Sequence, residues 1–416
     1  MTVHDLVISN VHLRTAVGSW WLGISSGRIA AISSERLEGI EVIDAGGGLV
    51  TESFVNAHLH LDKVHTVDRA GEAALAAYTT DTMAGAAAAI TQAAAVKDYY
   101  DETWIEANAR RVLLDGLGYG VRHVLAFADV DTRAQLKGVK PLLKLREEFR
   151  GMVDLQVVAF PQEGLLRDPG ADEYVRHAMD LGADVVGGIP WIEASDAEMR
   201  EHVRRMCALA SERGKRVAML VDDTGDATLR TTVMLAEAIL QHGLAGRGVA
   251  LHARAVGLYP GPAVLRLTEL ARRARLGFVS DPHTGSIHFP VRRFIESGLD
   301  VALGQDDIED AYYPLGRHNL LEVAFLGAHL LGMTDDRGLQ QVFDLVTTSA
   351  ARVLGIANHV LRVGGSADLV VHEDATVRGV LSRHAAPRYV IASGQVAAVS
   401  ESRTQLRLPR ETSRDA

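Results

Sequence analysis

Between Leu49 and about Leu354 the chain repeats one pattern: a short, continuously apolar run, then an amphipathic stretch long enough for a helix. That alternation constrains the fold most, because strands apolar on both faces need helices on both sides, the arrangement of parallel sheets. The runs are Leu49 to Ala57, Val121 to Ala128, Leu155 to Phe160, Ala183 to Ile189, Arg216 to Val221, Gly248 to Leu251, Gly277 to Val279 and Asp300 to Leu303. Helical segments such as Asp196 to Arg213 and Thr231 to His242 separate them. Eight such units suit a closed (β/α)8 TIM barrel better than an open sheet.

The flanks read differently. Leu6 to Ser9, Trp20 to Ile24, Ile29 to Ile32 and Glu41 to Ile43 alternate with turns, and strand-turn-strand character returns over Ala367 to Val371, Arg388 to Ile391 and Val396 to Val399. The expectation is a small β-sandwich domain built from residues 1–50 and 362–416, beside a barrel over residues 51–361.

With 43 Lys+Arg against 53 Asp+Glu in 416 residues, the chain offers no basic stripe for phosphate contacts, which excludes a nucleic-acid partner. Its basic segment, Arg403 to Arg414, reads as a frayed tail. Cys207 alone can form neither an intrachain disulfide nor a thiolate zinc site. Met1 to Asn10 lacks the apolar core of a secretory signal, and the Ala-rich run Ala84 to Val96 is too short to span a bilayer. A soluble cytoplasmic protein with no membrane partner is expected. An exposed apolar helix face would allow homo-oligomers.

In a barrel, reactive groups sit at the C-terminal ends of the strands. The first run closes on His58-Leu59-His60, and residues two apart on a strand share a side, so both imidazoles can grip one metal ion. The last run closes on Gly304-Gln305-Asp306-Asp307, which adjoins the first where a barrel closes; Asp306 is a metal ligand or proton acceptor, or else a helix cap. His252 follows the sixth run, either as a core residue or orienting the attacking water. Gln162 follows the third, and its amide matches the edge of a cyclic amide or amidine as well as it matches a loop hydrogen bond. Asp222 and Asp223 end the fifth run, while His283, His288, Arg292 and Arg293 follow the seventh. Gly116 to Gly120 precedes its strand, so it is no dinucleotide loop, and no nucleophile elbow or Walker loop is present.

Phe54-Val55-Asn56-Ala57-His58-Leu59-His60-Leu61-Asp62-Lys63 resembles the first-strand signature of the amidohydrolase superfamily, in the branch of cytosine deaminase and N-isopropylammelide hydrolase. Val157 to Gly164, Val186 to Pro190, Gly304 to Asp307, Tyr313 to Gly316 and Gly364 to Val371 match in order, so the resemblance spans nearly the whole chain. It implies His58, His60 and Asp306 as metal ligands, with Asp306 also moving protons. His252 would hold the attacking hydroxide or polarise the reacting group, Gln162 would hydrogen-bond the substrate ring, and Asp307 would join it.

Departures shape the expectation. Leu220 stands where the family places a metal-binding histidine, so Asp222 replaces it, His252 moves onto the metal, or the metal is weak or absent. Asp223 stands where the cytosine enzymes carry an acid/base glutamate. Phe127 and Trp191 stand in place of two family histidines, giving a more apolar substrate pocket than cytosine suits.

The expected activity is hydrolysis of a non-peptide C–N bond in a small, cyclic nitrogenous compound, cytosine itself disfavoured. It would need one divalent ion, zinc or iron, both of which accept imidazole and carboxylate. The alternative is a divergent member that has lost metal chemistry and acts as a lyase, isomerase or cyclase.

Overall fold

The structure, a computed structural model, describes residues 2–70 and 83–407. The chain opens with β1 (Val3–Leu13), β2 (Ala16–Ser25), β3 (Arg28–Ser33) and β4 (Glu38–Asp44), a four-stranded sheet in the order β3-β2-β1-β4. After β5 (Val50–Glu52) come the eight barrel strands: β6 (Phe54–His60), β7 (Val121–Asp129), β8 (Asp154–Phe160), β9 (Val185–Gly188), β10 (Arg216–Val221), β11 (Gly248–His252), β12 (Gly277–Ser280) and β13 (Val301–Leu303). They hydrogen-bond in sequence order, neighbours parallel, from β6 to β13. Beyond them β14 (Leu369–Val371), β15 (Tyr389–Ala392) and β16 (Gln395–Val399) join β5 in a second four-stranded sheet.

Backbone bonds close the barrel at its seam. Asp306 N–H donates to His58 C=O at 2.8 Å, and His60 N–H donates to Asp306 C=O at 2.8 Å. The third residue past the last strand is thereby sewn to the two histidines of the first.

The run Leu49 to Ala57 does not form one strand. Val50–Glu52 pairs antiparallel with Leu369–Val371, whereas Phe54–His60 pairs parallel with β7, and Ser53 donates its N–H to Asp368 C=O at the switch. Continuous hydrophobicity marks burial on both sides but cannot show a change of sheet. His58 and His60 consequently lie within β6, not beyond it, and all seven of its residues are buried.

Two main apolar cores result, with a small third cluster of Val96, Tyr100, Ile105 and their neighbours. The larger fills and surrounds the barrel. The smaller gathers Ile8, Leu22 and Ile24 from the first sheet with Leu369, Val371 and Ile391 from the second, so both ends of the chain share it. Buried Arg122 of β7 ties the two together, with Nη2 2.7 Å from Asp368 Oδ1. The helix Asp196–Glu212 begins where Ser195 accepts from Glu198 N–H, as a capping hydroxyl should. Among the described residues no helix is long and apolar enough to cross a membrane. The basic tail lies outside the described residues beyond position 407.

Candidate active site

Alternation along β6 sends His58 and His60 to one side, their ring centroids 5.1 Å apart, while Leu59 packs into the barrel core. Asn56, on the same side, accepts through Oδ1 from the backbone N–H of Gln305 at 3.1 Å and helps fix the strap that carries Asp306. His252 ends β11 with φ 62°, and Asp306 has φ 61°, left-handed conformations that a non-glycine residue rarely adopts. Such strain persists where surrounding structure enforces it, often at functional sites.

Asp306 is the meeting point. Its Oδ1 lies 3.4 Å from His58 Nε2 and 3.6 Å from His60 Nε2, and its Oδ2 lies 3.8 Å from His252 Nε2. Thr284 donates its hydroxyl to the same Oδ2 at 3.3 Å. Behind the imidazoles stands Asp281, whose Oδ2 is 3.1 Å from His58 Nδ1 and 3.3 Å from His252 Nδ1.

The electrostatics are those of a site short of positive charge. Burial holds His58, His60 and His252 below the ordinary imidazole range, which keeps them neutral with a lone pair to offer. Burial, with Asp281, Asp223 and Asp310 nearby, pushes Asp306 up to about 8 against the pull of His58. Burial and the Asp223 carboxylate push Asp281 well above the usual carboxylate range. His58 Nε2 is buried without a hydrogen-bond partner although it faces a carboxylate oxygen. Two imidazoles and a carboxylate are the donors that divalent transition ions accept, so these residues fit a metal ion. One donor atom each from His58, His252, Asp281 and Asp306 lie mutually within 4.8 Å.

A cavity opens beside this cluster, walled by His60, Gln162, Trp191, Leu220, Asp223 and Asp307 among others. Gln162 accepts through Oε1 from Lys63 Nζ at 3.1 Å. An ammonium only donates, so the amide oxygen is committed to Lys63 and the NH2 group is left for the cavity. Trp191 brings a buried indole N–H with no partner. Asp223 is held by Arg254, whose Nε donates to its Oδ1 at 2.6 Å. Burial nonetheless leaves Asp223 above the usual carboxylate range.

Two expected site residues stand elsewhere. Asp222 does not turn toward the histidines: Oδ1 accepts from Thr231 N–H and hydroxyl, both at 2.7 Å, and Oδ2 accepts from the Tyr259 hydroxyl at 2.6 Å. With φ 47° at Asp222 itself, the chain turns its carboxylate outward to start the helix Thr231–Gln241, so it caps that helix and is no metal ligand. Phe127 is not a cavity wall; it lies edge-on to His58 at 4.7 Å between centroids and supports both histidines. Asp281 and Arg254 are not singled out by the sequence, and Lys63 enters there only as the end of a motif with no role. Asp281 immediately follows Ser280, the last residue of β12, a position that alone marks it as a candidate.

A family model described as the amidohydrolase family matches residues 41–398. The N-isopropylammelide isopropyl amidohydrolase of Pseudomonas sp. (strain ADP) is 29% identical over 408 residues, covering 94% of this chain and 96% of that protein. Pterin deaminase from Rhizobium rhizogenes is 24% identical over 378 residues, 85% of this chain and 81% of that protein. Among solved structures, 5-methylcytosine deaminase from Klebsiella pneumoniae, liganded with 5-fluorocytosine, superposes with a TM-score of 0.88 at 29% identity, covering 97% of this chain and 99% of that one. A barrel whose first and last strands converge on a carboxylate and its imidazoles, matched over most of its length by that model, identifies the chain as a member of the amidohydrolase family.

Proposed function

We propose that this protein is a metal-dependent hydrolase of a non-peptide C–N bond in a small cyclic nitrogenous compound. The observation that carries this reading is Asp306, a buried carboxyl group whose Oδ1 lies 3.4 Å from His58 Nε2 and 3.6 Å from His60 Nε2, the first of which has no hydrogen-bond partner. His58, His60 and Asp306 would hold the divalent ion, zinc or iron. When bound, that ion supplies Lewis acidity, lowering the pKa of water toward about 7.

The remaining work falls to side chains of the cavity. Gln162 NH2 and the Trp191 indole N–H donate to acceptor atoms on the ring, which orients its reacting carbon toward Asp306. Asp307, held well above the usual carboxylate range by burial and by Asp306 and Asp310, keeps a proton and donates as well. Hydrolysis forms a C–O bond, breaks the C–N bond and moves one proton from water to the departing nitrogen. Asp306 and Asp223 are the acids placed to carry it, one on each side of His252: Asp223 Oδ1 lies 3.5 Å from His252 Nδ1.

Trp191, Leu220, Ile189 and Ile90 make much of the wall apolar. That composition supports a substrate bulkier or less polar than cytosine. The relatives' names point the same way, since N-isopropylammelide, pterin and 5-methylcytosine are cyclic and nitrogenous.

The test pairs a metal assay with turnover of a panel of N-alkyl amino-oxo azaheterocycles. Wild-type protein should carry one equivalent of metal and lose turnover on chelation, and Asp306→Asn should lower kcat by about 1000-fold, the scale expected when an interaction made in the transition state is removed. Undiminished turnover by metal-free protein would refute the proposal.

A further inference from the structure

We infer that Glu193 and His202 are positioning residues: they lock the loop that carries Gln162 to the turn that carries Trp191, so that the two donors meet one substrate ring at a fixed spacing. This rests on the reading of Gln162 and Trp191 as hydrogen-bond donors to the substrate, and it names the part that aligns them.

Neither side chain is among those that wall the cavity, and both are fully buried. His202 Nε2 accepts from the backbone N–H of Ile189 at 3.2 Å. An amide N–H only donates, so that nitrogen is bare and the proton of the ring sits on Nδ1, 2.7 Å from Glu193 Oε1. The same Oε1 accepts from Leu165 N–H at 2.7 Å and from Leu166 N–H at 3.2 Å, and Oε2 accepts from Arg167 N–H at 3.1 Å. Burial opposes the charge on Glu193, but His202 and these N–H groups prevail and hold its carboxyl below the usual range. One carboxylate thus gathers the N–H groups of one loop and, through one imidazole, the N–H of the other.

The grip lies close to both donors. Ile189 and Glu193 flank Trp191 two residues away on either side, and Leu165 lies three residues beyond Gln162. Pro190–Ile192 is one short helical turn, closed by Glu193 N–H donating to Pro190 C=O at 3.2 Å. Arg167 adds a direct tie between the segments, its Nη1 donating to Ile192 C=O at 3.3 Å. Two glycines keep room for the pair. At Gly164, φ 89°, a Cβ would lie 2.9 Å from Glu193 Oε1, and at Gly188 one would lie 3.0 Å from His202 Nε2. The Trp191 indole N–H is buried without a partner, and Gln162 lines the cavity with its oxygen held by Lys63. Two donors on separate segments bind one rigid ring well only if their spacing is set before it arrives.

The experiment compares kcat and KM of the metal-loaded protein and its variants on the member of the N-alkyl amino-oxo azaheterocycle panel that the parent turns over best. The indole N–H resonance of Trp191 in the proton NMR spectrum gives a second reading. Glu193→Gln sets an NH2 group against N–H donors and should raise KM about 10-fold with kcat changed less than about 3-fold. The same change in a Gln162→Leu/Trp191→Phe background should raise KM less than about 2-fold, because the donors it aligns are gone. His202→Asn keeps a donor for Glu193 but withdraws the acceptor from Ile189; it should raise KM about 3-fold and shift the indole resonance, and it carries the test where Glu193→Gln does not fold. Parent-like KM and an unshifted resonance in His202→Asn, or an equal KM penalty from Glu193→Gln in both backgrounds, would overturn the assignment while leaving the substrate site standing. A parent that turns over no member of the panel would overturn the reading of that site and this role together.

Discussion

Two buried polar clusters share the mouth of the barrel, and they balance charge in opposite ways. Around Asp129 the chain provides the cations: Lys63 Nζ lies 3.0 Å from Oδ1 and Lys97 Nζ 3.2 Å from Oδ2, while Lys97 also reaches Asp131 and Glu163. Burial opposes charging both lysines, but the carboxylates around them prevail and hold them above the usual ammonium range. The same lysines hold Asp129 below its ordinary value despite burial. Around Asp306 the neighbours are imidazoles and Asp281, and the carboxylates rise instead of falling. A cluster that carries its own counter-ions is finished when the chain folds; one that gathers acceptors is finished only when something positive arrives.

A matched pair of substitutions in chelator-treated protein puts that contrast at most risk. Asp129→Asn strands two buried lysines and should cost about 3–5 kcal/mol of stability in urea titration. Asp306→Asn replaces a carboxyl group that burial already disfavours charging and that has no cation beside it, and should stay within about 1 kcal/mol of the parent, or exceed it. Equal losses would erase the distinction.

Acid supplies a reference from a buried group in neither cluster. Burial holds His318 down to about 4, against the pull of its hydrogen bond to Val112 C=O, whereas the unfolded chain titrates it near 6.5. Between those values the unfolded state binds more protons, so the stability from keeping this ring neutral is present above about pH 6.5 and is lost as pH falls toward 4. The loss is about 3 kcal/mol over the window, and His318→Gln should remove that share of the pH slope.

The smallest expected shift separates the clusters most cleanly. Zinc at about 100 times its dissociation constant should stabilise the parent by about 2.7 kcal/mol. Asp129→Asn should keep that increment and Asp306→Asn should lose it, both read as changes in urea midpoint.

The barrel was legible because its strands are buried on both faces and read as apolar runs at the right intervals; all eight lie within a few residues of their expected places. His58, His60 and Asp306 were legible because strand parity and the meeting of the first and last strands place them together without knowledge of any loop. Asp222 misled for a related reason: parity aims a side chain only while the strand lasts, and β10 ends at Val221, after which a left-handed turn sends the carboxylate to Thr231. Phe127 occupies the position of a family histidine but supports the His58 and His60 rings from the side, a matter of depth along β7 that a pattern of residue types does not encode. Lys63 could be quoted in a motif yet not understood, since its partners Asp129 and Gln162 come from two other strands.

The position of Asp306 has a consequence for the life of the molecule before it ever meets a substrate. Its carbonyl and amide are bonded to β6, so the ligands proposed for the ion would come from the two edges of a rolled sheet, separated in the chain by almost the whole barrel. A nascent polypeptide lacking β13 would have imidazoles but no place for an ion to settle. Catalytic competence would then report completion of the cylinder, and a cation lodged there would act as a clasp, slowing the reopening of the sheet as well as activating water.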